Sequence, residues 1–389
     1  MRFVLTIWCL HLILLPIYVF GSGSIQPSHI VLITGLLTLV LSQHFQSQIG
    51  GARQSIVDTR IAITGRLICT IFCLFALYVC TVNSAWAAIL SSAKPFLFSS
   101  FQIYNLLLVY FVFSVASKGF FSFARYTRAG FSGALILISV SILYDGYGSA
   151  SRESGLFNNP NQLAFFCLSS SLCFYIVEKL GIGSSLWNRS FIGISCFICM
   201  LTLSRAGLSC CVLVFLASLF DGPSKLSKSF IILVTTTALL IFAGSIGIIE
   251  SLEKRNQQTQ AVFDNQIEGR GYDRILESPE YILLGAGEGE NRRFEGFLAS
   301  LGGEIHSSVG TLIFCYGIIG FSLYSCLWWF MFFASPGLVY KICAAAPIIF
   351  SVTHNGLRFS AGIIAVLLMT CGGIAFKLSN EDRKNWNSI

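Results

Sequence analysis

The sequence predicts an all-α, polytopic integral membrane protein: one membrane domain over residues 1–389, with about twelve spanning helices and a large polar loop between late spans. Two observations predict it. Only 11% of the residues are charged while 54% are hydrophobic, and the mean hydropathy is +0.74. A soluble domain carries about 25% charged residues. The polar residues are also concentrated. Residues 250–306 hold 11 of the 18 acidic residues and 6 of the 25 Lys and Arg. Elsewhere charge is sparse, because a charge at the bilayer centre costs roughly 2.5–3.5 kcal/mol on insertion scales. The net charge of +7 therefore bears on which connections stay cytoplasmic rather than on nucleic acid, and no nucleic-acid partner is expected.

In order, the apolar runs are 3–20, 27–42, 67–90, 96–116, 129–144, 161–178, 190–204, 206–220, 229–249, 307–333, 342–353 and 359–377. Most approach the ~20 residues that a bilayer core requires; several are short, and 342–353 is the weakest. Residues 1–24, with Arg2, an apolar run and Gly21-Ser22-Gly23-Ser24, share features with a secretion signal. The missing small-x-small cleavage site and the polytopic pattern that follows favour an uncleaved first span.

Alternation from a cytoplasmic Met1 assigns 43–66, 117–128, 179–189, 221–228, 334–341 and the C-terminal tail to the inner side. These connections hold Arg53, Arg60, Arg66, Lys118, Arg125, Arg128, Lys179, Arg189, Lys225, Lys228, Lys341, Lys377, Arg383 and Lys384. The outer short connections keep Lys94, Arg152, Arg205 and Arg358. That bias puts 250–306 outside. All fourteen cysteines lie in or beside apolar runs, and Cys196-Phe197-Ile198-Cys199 sits within one. Packed thiols are expected there rather than zinc or redox chemistry.

Outward arginines need an explanation, since topology disfavours them. Arg152 precedes Asn158-Asn159-Pro160-Asn161, where Asn159 should be extended and Pro160 should open a helix. Amides such as Asn161 at a helix N-terminus suit an anion, although a capped helix beside a solvated arginine reads equally simply. Arg205, in Ser204-Arg205-Ala206-Gly207, separates two apolar runs and must lie at the outer surface, either snorkelling or holding an anion. Within the loop, Arg270 and Arg274 would share one face of a helix. Gly285-Ala286-Gly287-Glu288-Gly289 lacks the ending and setting of a phosphate loop and reads as a flexible turn near a polar ligand. His306, two residues after Glu304, stands where the loop enters the next span; a histidine there suits proton transfer, anion contact or a plain hydrogen-bonding cap. His354-Asn355-Gly356-Leu357-Arg358 is a further outward cluster. Together these clusters predict one shared outward site.

Several of these segments resemble the Wzy-type O-antigen polymerases. They are Arg270-Gly-Tyr-Asp-Arg274, Pro279-Glu-Tyr281, Gly285-Ala-Gly-Glu-Gly289, Arg293-Phe294 and Glu304-Ile-His-Ser307. With them go Arg152-x-x-Gly155-x-Phe157-x-Asn-Pro-Asn161, Ser204-Arg205 and Thr353-His-Asn-Gly-Leu-Arg358. The likeness covers roughly 150–360. O-antigen ligases share the layout but commonly show His-Asn at the loop exit, where this chain has His306-Ser307. The resemblance implies a GT-C-like glycosyltransferase in the bacterial inner membrane, its site and large loop facing the periplasm, needing no cofactor and no metal. Its substrates would be undecaprenyl-diphosphate-linked glycans, its surroundings membrane lipid, and a polysaccharide chain-length regulator is a partner the resemblance allows for.

The residues fit that chemistry. The leaving group is an anionic lipid diphosphate, and Arg152, Arg205 and Arg270 are expected to hold it, with Arg274, Arg293 and Arg358 as further candidates and Asn161 and His354 beside them. Guanidinium forks bind phosphate bidentately and keep their charge. His306 is the expected base for the acceptor hydroxyl, with Glu304 orienting it or acting as base itself. Two rivals stand beside the polymerase: an O-antigen ligase, and a lipid-linked glycan transporter. The nearly charge-free spans and the lack of an internal repeat disfavour the transporter.

Overall fold

A computed structural model describes residues 1–20, 25–46, 55–145, 153–220, 271–289, 294 and 305–386. All regular elements among them are helical. The long ones are α1 (Arg2–Leu14), α2 (Pro27–Gln46), α3 (Ile56–Leu90), α4 (Lys94–Ala116), α5 (Phe120–Asp145), α6 (Pro160–Lys179), α7 (Ser185–Leu201), α8 (Arg205–Phe220), α9 (Ser308–Ala334), α10 (Leu338–Thr353) and α11 (Ser360–Trp386). A short helix, Asp273–Glu277, and a 3-10 turn, Pro279–Tyr281, lie between α8 and α9. Six helices, α3, α4, α5, α6, α9 and α11, are long and apolar enough to cross a bilayer. α1, α2, α7, α8 and α10 are shorter apolar helices that pack among them.

Eleven of the twelve apolar runs fall on these helices; the run 229–249 lies outside the described residues. The helices do not end where the apolar runs end. α3 begins at Ile56, where Ser55 accepts a hydrogen bond from the Asp58 backbone at 3.1 Å. α5 begins at Phe120, so Arg60, Arg66, Arg125 and Arg128 ride on helical turns rather than in loops. Hydropathy marks where lipid begins, whereas capping and backbone hydrogen bonds mark where a helix begins. α1 conversely stops at Leu14, short of the 3–20 run.

Contacts along the helices fix their directions. Thr127 accepts from Trp8 Nε1 at 2.8 Å and Gly130 lies against Leu12, so α1 and α5 run parallel. The His11 ring nitrogen meets Ser28 O at 2.8 Å while Gly35 lies against Ile7, so α2 runs back. α6 and α11, the most buried of the six long apolar helices, run parallel at the centre. The Ser169 hydroxyl lies 2.8 Å from Ala361 O, and Ile176 packs on Gly372. Between membrane helices water supplies no driving force, so close approach over small residues does the work. Gly362 under Phe165, Gly207 under Ala164 and Gly65 under Phe113 are such approaches.

The bundle therefore has two ends. One, the loop end, gathers the α3–α4 turn, residues 153–159, the α7–α8 turn, residues 271–289 and the connection 354–359. The other gathers the α4–α5, α6–α7 and α9–α10 turns with most of the Lys and Arg among the described residues. There Arg128 Nε donates to Asn188 at 2.7 Å and Arg189 pairs with Glu178 at 2.7 Å. α8 finishes at this opposite end, while the chain at Gly271 is at the loop end. All fourteen cysteines are free thiols; Cys196 and Cys199 are buried in α7, as packed thiols should be.

Candidate functional site

The loop end is built from helix termini, which bring backbone donors and polar caps together. α6 opens as its sequence predicts: Asn159 is extended (φ −148°, ψ 132°), Pro160 takes the first turn, and the Asn159 carboxamide accepts from Asn161 N at 2.7 Å. Asn161 thus stands at the head of the central helix. The α7–α8 turn is equally short. Thr202 Oγ1 accepts from Ser204 N at 3.1 Å, and exposed Arg205 opens α8. One turn on, Gly207 packs on Phe350 of α10, and Cys210 approaches Ala346 O at 3.4 Å. These antiparallel contacts set Arg205 beside the last turn of α10, where the His354 ring stacks on Phe350 with centroids 4.6 Å apart.

The segments that carry His306 and His354 meet at Ser308. Ser308 N and Ser308 Oγ each lie 3.1 Å from His354 O, and Gly356 N donates back to Ser308 Oγ at 2.7 Å. His306 is exposed between buried Ile305 and Ser307. Ser307 caps α9 by accepting from Gly310 N at 3.0 Å. Tyr272 bonds to this junction, its hydroxyl 2.5 Å from Ser307 Oγ and donating to Val352 O at 2.9 Å. Asn355 Nδ2 donates to Thr311 Oγ1 at 3.1 Å.

Arg274 is buried in the short helix, its guanidinium 5.9 Å from the Phe294 ring centre. Burial pulls its pKa below the ordinary value, against the opposite pull of Asp273 and Glu277, and the group stays charged near neutrality. The short helix that carries Arg274 begins at Asp273, and Gly271 before it has φ 77°. Arg152, Arg270, Arg293 and Glu304 lie outside the described residues.

The glycine-rich segment departs most from expectation. It is not a flexible turn but an inserted one. α9 is interrupted at Gly317 (φ 62°, ψ −174°), and the segment fills the break. Ala286 N donates to Phe314 O at 2.9 Å, Gly287 N to Cys315 O at 2.9 Å, and Ile318 N to Ile282 O at 2.8 Å. Trp86 Nε1 and the Tyr78 hydroxyl reach Gly285 O and Leu284 O at 3.2 and 2.8 Å. Glu288 is carried inside and is 3% exposed. Its backbone nitrogen donates to Asn83 Oδ1 at 3.0 Å, its carboxylate accepts from the Tyr316 hydroxyl, and Arg358 Nε lies 3.3 Å from its Oε1. Arg358 also covers the Phe98 ring at 4.6 Å.

Sequence reasoning missed Glu288, Tyr272 and the amides that receive this end: Asn83, and Gln102 and Asn105, which donate to Leu357 O at 3.4 and 2.9 Å. Polar side chains inside apolar spans are themselves a signal, because an unpartnered one there is costly. Arg205, Arg274, Arg358, Asn161, His306 and His354 thus all lie at one end. His306, His354 and Arg358 lie on segments joined at Ser308, and Arg205 opens α8 beside the last turn of α10. Arg274 lies beside Phe294 and two residues after Tyr272, which bonds to Ser307. Such an arrangement can bind an anionic group and present an imidazole beside it. Among the described residues no group of three or more His, Cys, Asp or Glu is placed to hold a metal ion. No protein-family model matches the chain, and no curated protein matches it.

Proposed function

We propose that this chain is a membrane glycosyltransferase that acts on glycans carried by a lipid diphosphate, as a Wzy-type polymerase of surface polysaccharide. The observation that carries the reading is the convergence of Arg205, Arg274, Arg358, His306 and His354 at one end of an apolar helical bundle. Guanidinium groups there would bind the diphosphate and stabilise the charge that develops as the glycosidic bond breaks. Preorganised cations away from bulk water are worth several kcal/mol in such a step. The acceptor hydroxyl of a new lipid-linked repeat unit attacks the sugar anomeric carbon of the growing chain. His306, with Glu304, takes the hydroxyl proton, and undecaprenyl diphosphate leaves. The lipid tail would lie against the apolar helices.

With the reading go twelve spans, a GT-C-like layout, a bacterial inner-membrane location and a loop end on the periplasmic side. The basic residues at the opposite end support that orientation. A chain-length regulator would be a partner. The test is purified protein in lipid nanodiscs with an undecaprenyl-diphosphate-linked repeat unit. A ladder of lipid-linked oligomers is expected. Transfer onto lipid A core alone would make the protein a ligase, and neither product would overturn the reading.

A further inference from the structure

Between Tyr272 and Gly289 the chain descends along the bundle and returns. Tyr272 is bonded to Ser307 and Val352, at the ends of α9 and α10. From there α9 serves as a ruler. Ile318, which donates to Ile282 O, lies ten residues beyond Ser308, about 15 Å at ~1.5 Å per residue. Phe314, whose carbonyl accepts from Ala286 N, lies only six residues beyond it, about 9 Å. α3 is a second ruler, read back from its end at Leu90. The Tyr78 hydroxyl meets Leu284 O twelve residues back, about 18 Å, and Trp86 meets Gly285 O four residues back, about 6 Å. Gly289 has returned to the helix ends: a Cβ there would lie 3.2 Å from the backbone of Lys94, the first residue of α4. On both rulers residues 282–284 are the lowest point.

That depth is large on the scale of a bilayer. α4 has 23 residues, about 34 Å, which matches a hydrocarbon core of about 30 Å with one end of the helix near each surface. A point about 15 Å below the helix ends is close to the middle of such a core. The side chains at this point are apolar and turned outward: Leu283 is 60% exposed and Leu284 58%. Leu77 of α3 and Ile318 and Ile319 of α9, beside them on the same wall, are also exposed and apolar. A water-filled cleft would carry polar side chains instead. The carbonyls of the segment are turned to the protein. Those of Tyr281, Ile282, Leu284 and Gly285 accept from Gly285 N, Ile318 N, Tyr78 and Trp86. Irregular backbone at membrane depth survives only when protein supplies such partners. Higher up, the short helix carries Asp273, Arg274 and Glu277, residues suited to the headgroup level.

We propose that residues 281–288 are a re-entrant segment, and that Leu283 and Leu284 are a lipid-binding surface whose partner is the acyl chains of the bilayer. Depth, apolar outward side chains and a backbone satisfied by protein fix that partner together. The polar run 250–306 is then not extramembrane throughout. The glycines serve the return path. A Cβ at Gly285 would strike the backbone of Cys315 and Tyr316, and one at Gly287 would meet Trp86 at 2.6 Å, so both lie flat on the helices that hold them. The proposal does not depend on which reaction the chain performs.

The experiment uses the full wild-type chain in nanodiscs of phosphatidylcholine that contain one of two photoreactive lipids. One carries a diazirine at the middle of an acyl chain, the other a diazirine on the headgroup. After illumination, peptide mass spectrometry locates the adducts. The acyl probe should mark 282–284 as it marks Ile318 and Ile319, and the headgroup probe should leave 282–284 unmarked. Acyl adducts on Ile318 and Ile319 with none on 282–284 would mean that water or protein covers the segment, and would overturn the proposal. Marking of 282–284 by the headgroup probe alone would overturn it too. A second measurement is the thermal midpoint in nanodiscs. Leu276, Leu283 and Leu284 are all exposed, so in water aspartate at each would matter little. Against hydrocarbon a charge is costly, so Leu283→Asp and Leu284→Asp should lower the midpoint and Leu276→Asp should not. If aspartate prevents accumulation, Leu283→Ser and Leu276→Ser carry the same comparison. Equal midpoints at the three positions would count against the proposal as decisively as missing acyl adducts.

Discussion

Ser308 and His354, forty-six residues apart, are joined twice: the nitrogen and the hydroxyl of Ser308 both lie 3.1 Å from the same carbonyl oxygen. This double contact closes α10 onto the start of α9. His306 lies two residues upstream of Ser308, and the His354 ring stacks on Phe350. The segment that carries the candidate base and the connection 354–359 are therefore tied at Ser308, by one backbone and one side-chain contact.

Replacing His306 by Ala should abolish polymer formation while the protein still inserts and accumulates. His306→Gln keeps a hydrogen-bonding group but cannot take the proton, and should fail nearly as badly. Polymer ladders at matched expression check this. Activity restored by Gln would reduce His306 to an orienting role and move the base to Glu304.

Arg205→Lys should remain badly impaired in binding and turnover, with no change in thermal midpoint. Its side chain is exposed at the head of α8, so folding asks little of it, whereas a compact ammonium loses the bidentate fork. Undecaprenyl diphosphate titration of the purified variant measures the loss; wild-type affinity would remove Arg205 from the site.

Tyr272→Phe removes one hydroxyl that bridges Ser307 and Val352. A cost of about 0.5–1.5 kcal/mol per hydrogen bond is expected. The observable is faster proteolytic cleavage in the loop than in the wild type, with the helical signal unchanged. Equal cleavage rates would show that the loop is held without this clamp.

Gly285→Ala and Gly317→Ala should each be severe. Each has positive φ, costing about 1–2 kcal/mol with a side chain, and each would press a Cβ on the backbone opposite, for roughly 1–3 kcal/mol more. Gly337→Ala is the control, since nothing lies within 4 Å of its would-be Cβ. Thermal unfolding in detergent should separate the two classes.

Cysteines placed at Leu276 and Leu338, exposed at the loop end and the opposite end, report orientation. An impermeant thiol reagent should label Leu276→Cys in spheroplasts above the wild-type signal, and Leu338→Cys only after lysis. The reverse pattern would put the loop in the cytoplasm.

Much of this was legible because membranes make polar residues conspicuous. Arg205 between two apolar runs and His306 at a loop exit are visible without coordinates, and the structure sets Arg205 at the start of α8 and His306 just before α9. The Asn159-Pro160 helix start is fixed by backbone sterics and reads directly from the chain. Glu288 was not legible for the opposite reason. Alternating glycines read as freedom when the walls they face, Trp86, Phe98 and α9, are distant in sequence. Asn83, Gln102 and Asn105 were hidden by averaging over their apolar neighbours. The helix that carries Arg274 begins only at Asp273, which spacing alone does not show, and its expected companion Arg270 lies outside the described residues.

The interruption of α9 at Gly317 bears on modularity. Inside hydrocarbon each backbone group without a partner costs several kcal/mol. Here the N–H groups of Ala286 and Gly287 and the carbonyl of Ile282 supply what the helix lacks. Residues 282–287 and the tenth apolar run are thus one structural unit split across the chain. Grafting the loop of another protein between α8 and α9, a natural way to try to change substrate choice, would open the wall of the bundle unless the graft brought its own matching helix. Exchange of specificity should succeed only when the loop and α9 travel together.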